Sequence, residues 1–175
     1  MTENELIAAA LDGAGRLRRF ALHLCGDADT AEDLVQEGLI RALASRRELR
    51  EPGLVLPWLF SIVRRGFLDQ RRRSEHRARV LEGNLSLSGA STGNLEVEIV
   101  ERGFSDEVSK ALSDLPEEWR TSILLCDVEG FSYPEVAEAL SCPIGTVRSR
   151  IARGRAHLLA ALGGRTETLD PGVSR

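Results

Sequence analysis

The sequence predicts an all-α protein built as two small helical domains joined by a flexible linker. Strong helix formers (Ala, Leu, Arg and Glu) dominate the composition. Apolar residues recur at helical spacing in segment after segment, and no strand-like alternation of useful length occurs. Between two such groups lies GNLSLSGASTGN, residues 83–94, an uncharged, glycine-bearing stretch with the composition of a linker.

Residues 5–24 place Leu6, Ile7, Ala10, Leu11, Leu17, Phe20, Ala21 and Leu24 near one helical face, with Gly13 and Gly15 as candidate breaks. Cys25-Gly26-Asp27 ends that segment. Asp29 or Thr30 is the expected N-cap of the next helix, and Glu32 and Asp33 fall in its first turn, where the helix dipole favours negative charge. This helix is expected to reach Ser45. Residues 46–56 contain Pro52-Gly53 and read as a loop, after which Pro57 opens a third helix running to about Arg73. Beyond the linker, helical patterns cover 107–114, 116–129, 133–140 and 144–162, with Ser105, Asp106 or Ser113 as caps. The end, GGRTETLDPGVSR, has no apolar face and is expected to be disordered. The resulting division is a domain over 1–79, a linker over 80–104, a domain over 105–165 and a tail over 166–175.

The chain of 175 residues is 42% hydrophobic and 29% charged, ordinary values for a soluble protein. It has no apolar run of about 18 residues and opens MTENELIAAALDG, unlike a signal peptide, so a cytoplasmic location without direct membrane insertion is expected. Cys25, Cys126 and Cys142 lie far apart with no metal-ligand spacing, and His23, His76 and His157 are scattered. No catalytic residues, no metal and no cofactor are therefore expected. An enzyme is the least favoured reading, since no nucleophile-base set, P-loop or GxGxxG appears.

A net charge of −4 argues at face value against a nucleic-acid partner. The distribution argues otherwise. All 23 basic residues but Lys110 are Arg, and they bunch at Arg64, Arg65, Arg71, Arg72, Arg73, Arg77 and Arg79, and again at Arg148, Arg150, Arg153 and Arg155.

The second bunch lies in SYPEVAEALSCPIGTVRSRIARGRAHLL, which has helix-turn-helix spacing. Val136, Ala137 and Leu140 line a short helix, Ser141-Cys142-Pro143 breaks it, and Val147, Ile151, Gly154 and Leu158 form a stripe on a second. That stripe sends Gly145, Arg148, Ser149, Ala152 and Arg153 outward, with Arg150 and Arg155 flanking. Such arginines can pair with guanine edges or clamp phosphates. The alternative is a merely solvated basic face, against which stands the absence of any acidic residue between Leu140 and Arg165.

Within residues 32–45, Leu34, Val35, Gly38, Leu39, Ala42 and Leu43 form the core stripe, and Asp33, Gln36, Glu37 and Arg41 lie opposite. Ile40 projects into that polar side. It reads either as part of a docking surface or as the single exposed isoleucine that many proteins carry. The helix after Pro57 packs Trp58, Leu59, Ile62, Val63 and Gly66 inward and turns Ser61, Arg64, Arg65, Leu68 and Arg72 outward, a face able to follow a nucleic-acid backbone. Phe60 and Phe67, at the stripe's margins, are either core or base-stacking residues. Asp69 is expected to pair locally with Arg72 or Arg73.

Four segments in this order, AEDLVQEGLIRAL (31–43), PWLFSIVRRGFLDQRRR (57–73), LPEEWRTSILLCDVEGFSYPEVAEAL (115–140) and CPIGTVRSRIARGRAHL (142–158), resemble the extracytoplasmic-function (ECF) sigma factors of bacteria. The resemblance implies that the first domain is sigma region 2 and the second is sigma region 4. It implies that Asp33, Gln36, Glu37 and Ile40 dock on the β′ clamp coiled coil of core RNA polymerase. It implies that the loop before Trp58 and the helix carrying Ser61, Arg64, Arg65 and Arg72 recognise the −10 promoter element, and that Arg148, Ser149, Arg150 and Arg153 read or clamp the −35 element. An anti-sigma partner is also implied. Gly38-Leu39 and Gly66-Phe67 depart from the residues usual at those places. Two rivals are a transcriptional regulator that binds promoter DNA alone and a sigma mimic that sequesters an anti-sigma factor. The first leaves the Ile40 face and the second basic helix unexplained; the second does not require the arginines.

Overall fold

The structure, a computed structural model, describes residues 2–49, 52–81 and 104–163. All regular elements among the described residues are helical: α1 (Glu3–Cys25), α2 (Ala28–Ser45), α3 (Val55–Leu81), α4 (Asp106–Ser113), α5 (Glu117–Ile123), α6 (Tyr133–Ala139) and α7 (Ile144–Leu162). Short 3-10 turns at Arg46–Glu48 and Pro52–Leu54 lie between α2 and α3, and α5 continues into a π-helical turn, Leu124–Val128. Of the expected linker, 82–103 lie outside the described residues, as does the whole of the expected tail, 166–175.

Gly13 and Gly15 do not break α1. Gly13 is a contact point instead: a Cβ there would stand 2.6 Å from Leu56 Cδ2, so the bare backbone lets α1 lie against the start of α3. The break comes at Gly26, whose positive φ of 77° turns the chain while its N–H donates to Leu22 O at 2.8 Å. Because that turn is so tight, the cap of α2 is Asp27 rather than Asp29 or Thr30. Asp27 Oδ1 accepts from Thr30 N at 2.8 Å and Thr30 Oγ1 at 2.6 Å. Helix α3 starts two residues before Pro57, which occupies its first turn, where a missing N–H removes no intrahelical bond. It also outruns the expected end at Arg73. Glu75 accepts from Arg71 Nε at 2.9 Å and lies 4.0 Å from Arg79, pairs that support an exposed helical extension.

In the first half, Leu17, Phe20, Leu24, Ala31, Leu34, Val35, Ala42, Leu59 and Val63 bring α1, α2 and α3 together. Gly38 allows the closest approach, since a Cβ there would lie 3.0 Å from Val63 Cγ2. In the second half, α5, α6 and α7 close around Ile123, Leu124, Val136, Val147 and Ile151. The two halves share one continuous core. Phe60, fully buried, stands edge-on to Phe20 of α1 at 4.9 Å between centroids and to Phe131, from the loop before α6, at 5.2 Å. Leu59, Phe60, Ser61, Ile62 and Val63 are all buried. Five consecutive buried positions span every side of a helix, so α3 is packed from two directions: by α1 and α2 on one side, and by α6 and its preceding loop on the other.

Candidate nucleic-acid interface

The helix-turn-helix is set by local chemistry. Ser132 caps α6 reciprocally, its hydroxyl accepting from Glu135 N at 3.5 Å while the Glu135 carboxylate accepts from Ser132 N at 2.8 Å. Glu135 is correspondingly held below the usual carboxylate range by these Ser132 hydrogen bonds. Ser141 takes a positive φ of 50° in the turn, Cys142 N donates to Ala137 O at 3.0 Å, and Pro143 is the N-cap of α7, one place earlier than a first-turn proline. Val147, Ile151 and Gly154 are the buried stripe of α7. At Gly154 a Cβ would press on the Ile123 side chain of α5, which fixes how closely the two helices pack.

That stripe leaves Gly145, Arg148, Ala152 and Arg153 exposed, and neither arginine has an ion pair among the described residues. Ser149 is half-buried, its hydroxyl donating to Thr146 O at 2.9 Å. Arg150 turns toward its own module. With a side chain only 17% exposed, it lies 2.8 Å from Glu118 Oε2 and donates to Cys142 Sγ at 3.5 Å. Its place beside Ile151, at the edge of the buried stripe, explains this. Arg155 donates to both carboxylate oxygens of Asp127, from Nε at 2.9 Å, and this pair raises its already high pKa further.

On α2, Asp33, Gln36, Glu37 and Ile40 are all exposed along one face, with Ile40 at 67%. Glu37 accepts from Arg41 Nη2 at 2.6 Å, and Gln36 reaches Glu32 at 3.5 Å. Asp69 pairs with Arg72 at 3.9 Å as the spacing suggests, and also with Arg41 of α2 at 3.7 Å.

The basic helix α3 differs from the sequence expectation. Arg65 and Arg72 are exposed, but Ser61 is not on an outward face: it is 4% exposed and donates to Trp58 O at 2.7 Å. Arg65 folds back over it, Nη2 to Ser61 Oγ at 2.9 Å. Arg64 is drawn into a two-pronged pair with Glu117 of α5, Nε to Oε1 at 2.8 Å and Nη2 to Oε2 at 3.0 Å, both side chains nearly buried. The departure at Arg64 has its cause in the second half of the molecule, whose Glu117 is seated on α3. Phe60 is core rather than a base-stacking residue in this arrangement, and Phe67 is half-buried.

Sequence reasoning missed Arg16, Glu117, Glu129 and Phe131 as a group. Arg16 Nε donates to Glu129 Oε2 and its Nη2 to Glu129 O, each at 2.7 Å, and its guanidinium lies over the rings of Phe60 and Phe131 at 5.8 and 5.4 Å. Burial alone would raise the Glu117 carboxyl, but the hydrogen bonds and charge of Arg64, with Thr121 and Arg120, hold it below its usual range. The available signal was Phe131, an aromatic outside any amphipathic stripe.

A three-helix bundle bearing an exposed acidic and apolar face, joined to a helix-turn-helix on which Arg148 and Arg153 stand open, is the build of a helical DNA-binding protein. Residues 13–77 match sigma-70 region 2 and residues 105–158 match sigma-70 region 4. The chain is 38% identical over 151 residues to the ECF RNA polymerase sigma factor EcfG of Rhodopseudomonas palustris, covering 83% of this chain and 78% of that protein. It is 39% identical over 146 residues to the ECF RNA polymerase sigma factor SigE of Mycolicibacterium smegmatis, covering 83% of this chain and 56% of that one. The fold is similar to that of the sigma factor RpoE in its co-crystal with the anti-sigma factor NepR from Bartonella quintana, with a TM-score of 0.72 and 31% identity over 89% of this chain and 95% of that chain. CnrH, in complex with the cytosolic domain of CnrY, shares the fold at a TM-score of 0.68 and 20% identity, over 94% of this chain and 92% of that chain. The chain belongs to the ECF RNA polymerase sigma factors, a group of transcription initiation factors.

Proposed function

We propose that the chain joins core RNA polymerase through Asp33, Gln36, Glu37 and Ile40 of α2 and carries promoter specificity on α7 and α3. The division of labour follows the domains expected from sequence: 1–79 for polymerase and the −10 element, 105–165 for the −35 element, with 80–104 between them. Exposure of Ile40 amid acids carries the polymerase part. A large apolar side chain in that setting gains by being covered, and acids around it select a basic partner such as the β′ clamp coiled coil.

On α7, Arg148 and Arg153 are the base or phosphate contacts, with Ser149 beside them. Arg150 acts by bracing α7 on Glu118 and reaches DNA only by leaving that pair. On α3, Arg65, Arg72 and a released Arg64 serve the −10 element; Ser61 positions Arg65 rather than touching DNA. The protein works in the cytoplasm without inserting into a membrane; among the described residues no helix is long and apolar enough to cross one. It uses no cofactor and catalyses no reaction of its own. An anti-sigma factor is proposed as its regulator, because the Bartonella neighbour with 31% identity is held by one.

The test is capture of purified core polymerase. Ile40→Asp is expected to abolish holoenzyme assembly while leaving the thermal melt unchanged, since the side chain stands in solvent. Normal assembly by that variant would remove this reading of α2.

A further inference from the structure

The four arginines of α7 sort by face into two that are open and two that are held. Arg148 and Arg153 stand exposed on the outward side with no ion pair among the described residues. Arg150 and Arg155 flank the buried stripe of Val147, Ile151 and Gly154, and each meets an acid. Arg150 lies 2.8 Å from Glu118 of α5, and Arg155 donates from Nε to Asp127 Oδ2 at 2.9 Å and from Nη2 to Oδ1. Helix α7 carries no acidic residue of its own. Asp127 belongs to the π-helical turn that continues α5, so both acids come from the one segment on which α7 packs, where Ile123 is set against Gly154.

A carboxylate that accepts from a guanidinium occupies the donors that a phosphate would take. At the flanks of a recognition helix such donors face the walls of the groove, where contacts go to phosphate and carry no sequence information. We propose that Glu118 and Asp127 are positioning residues for promoter binding: by retaining Arg150 and Arg155 they limit the phosphates that α7 can neutralise, and they leave DNA contact to the open Arg148 and Arg153. The inference rests on the assignment of α7 to the −35 element. It goes beyond that reading in giving two acids that touch no DNA control of the sequence-independent share of α7's affinity. The Glu118 side chain is itself 57% exposed, so Glu118→Gln removes its charge without opening the core.

The experiment titrates a fluorescent duplex of non-promoter sequence with the full-length chain and reads anisotropy over a range of salt. Neutralising one further phosphate steepens the fall of log affinity with log salt by about 0.9. Glu118→Gln, which frees Arg150, should show that increment and bind more tightly at low salt, its advantage shrinking roughly threefold between about 50 and 200 mM salt. In a chain already carrying Arg150→Gln, the same Glu118→Gln change should leave the slope where it was. That comparison separates release of an arginine from the mere loss of a negative charge. A purely structural role would move the thermal melt and not the salt slope. Should Glu118→Gln fail to fold, as read by helical circular dichroism, Asp127→Asn with and without Arg155→Gln carries the same test. An unchanged slope in the folded Glu118→Gln chain, or an equal steepening with and without Arg150, would overturn the proposal. Arg148→Ala in the same titration keeps the two readings apart. Weaker binding by Arg148→Ala beside an unchanged slope in Glu118→Gln removes the role of the acids and leaves α7 on DNA, whereas no effect of either removes both.

Discussion

The two arginine-bearing helices, α7 and α3, have similar chemistry in opposite states. On α7 the inward stripe of Val147, Ile151 and Gly154 takes up the packing, and Arg148 and Arg153 are left to solvent. On α3 the whole circumference from Leu59 to Val63 is buried, and Arg64 is engaged by Glu117. What decides whether a basic helix is open is what seats against it, and here the seat comes from the same chain. The acidic residues show the same contrast. Asp33 and Glu37 on α2 face solvent, whereas Glu117 and Glu129 are covered and paired with Arg64 of α3 and Arg16 of α1.

The contrast is broken most severely at Phe60, the ring that lies between Phe20 and Phe131. Phe60→Ala should destabilise the fold by roughly 3–5 kcal/mol, read as a fall in denaturation midpoint. Arg148→Ala on the open helix should change it by no more than about 0.5 kcal/mol. Comparable losses in the two variants would remove the distinction between a buried and an open helix.

A smaller effect is expected at the ion pair. Glu117→Gln gives up charge-assisted bonds to Arg64, a loss of about 1.5–3 kcal/mol near neutral pH. Its pH dependence has a definite sign. The Glu117 carboxyl is lowered from its ordinary value of 4.5, so its contribution is complete above 4.5 and is lost as pH falls through the lowered value. Thermal melts of wild type and Glu117→Gln should therefore differ most at neutral pH and converge in acid; a gap that stays constant to low pH would point to packing rather than charge. The smallest effect belongs to the cap of α6. Ser132→Ala should cost about 1 kcal/mol by removing the hydroxyl that accepts from Glu135 N, again by denaturation midpoint, and an unchanged midpoint would show that packing alone sets the helix-turn-helix.

Much of this was legible along the chain because it depends on local pattern. Apolar periodicity located the helical segments, and the stripe through Val147 and Ile151 fixed which face of α7 is open. Ile40 stood out on α2 for the same reason. Boundaries were less legible where one residue has two uses: Gly13 is a contact rather than a break, and Asp27 caps α2 because Gly26 turns the chain directly before it. The outward placement expected of Ser61 and Arg64 on α3 is not what the structure shows. A helical wheel assigns one inward face, and α3 has two, the second created by residues some 50 to 70 positions along the chain. Arg150 was less open than its neighbours for a related reason, its partner Glu118 lying on another helix.

The most direct measurement is run-off transcription by reconstituted holoenzyme on the DNA upstream of the protein's own gene, comparing wild type with Arg148→Ala and Arg153→Ala. A good arginine pairing with a base edge is worth roughly 1–3 kcal/mol. The variants should therefore give about tenfold less promoter-specific transcript, or lower still, while binding core polymerase as wild type does. Full transcription by both variants, or an equal loss of polymerase binding, would contradict the assignment of the open face of α7 to promoter DNA.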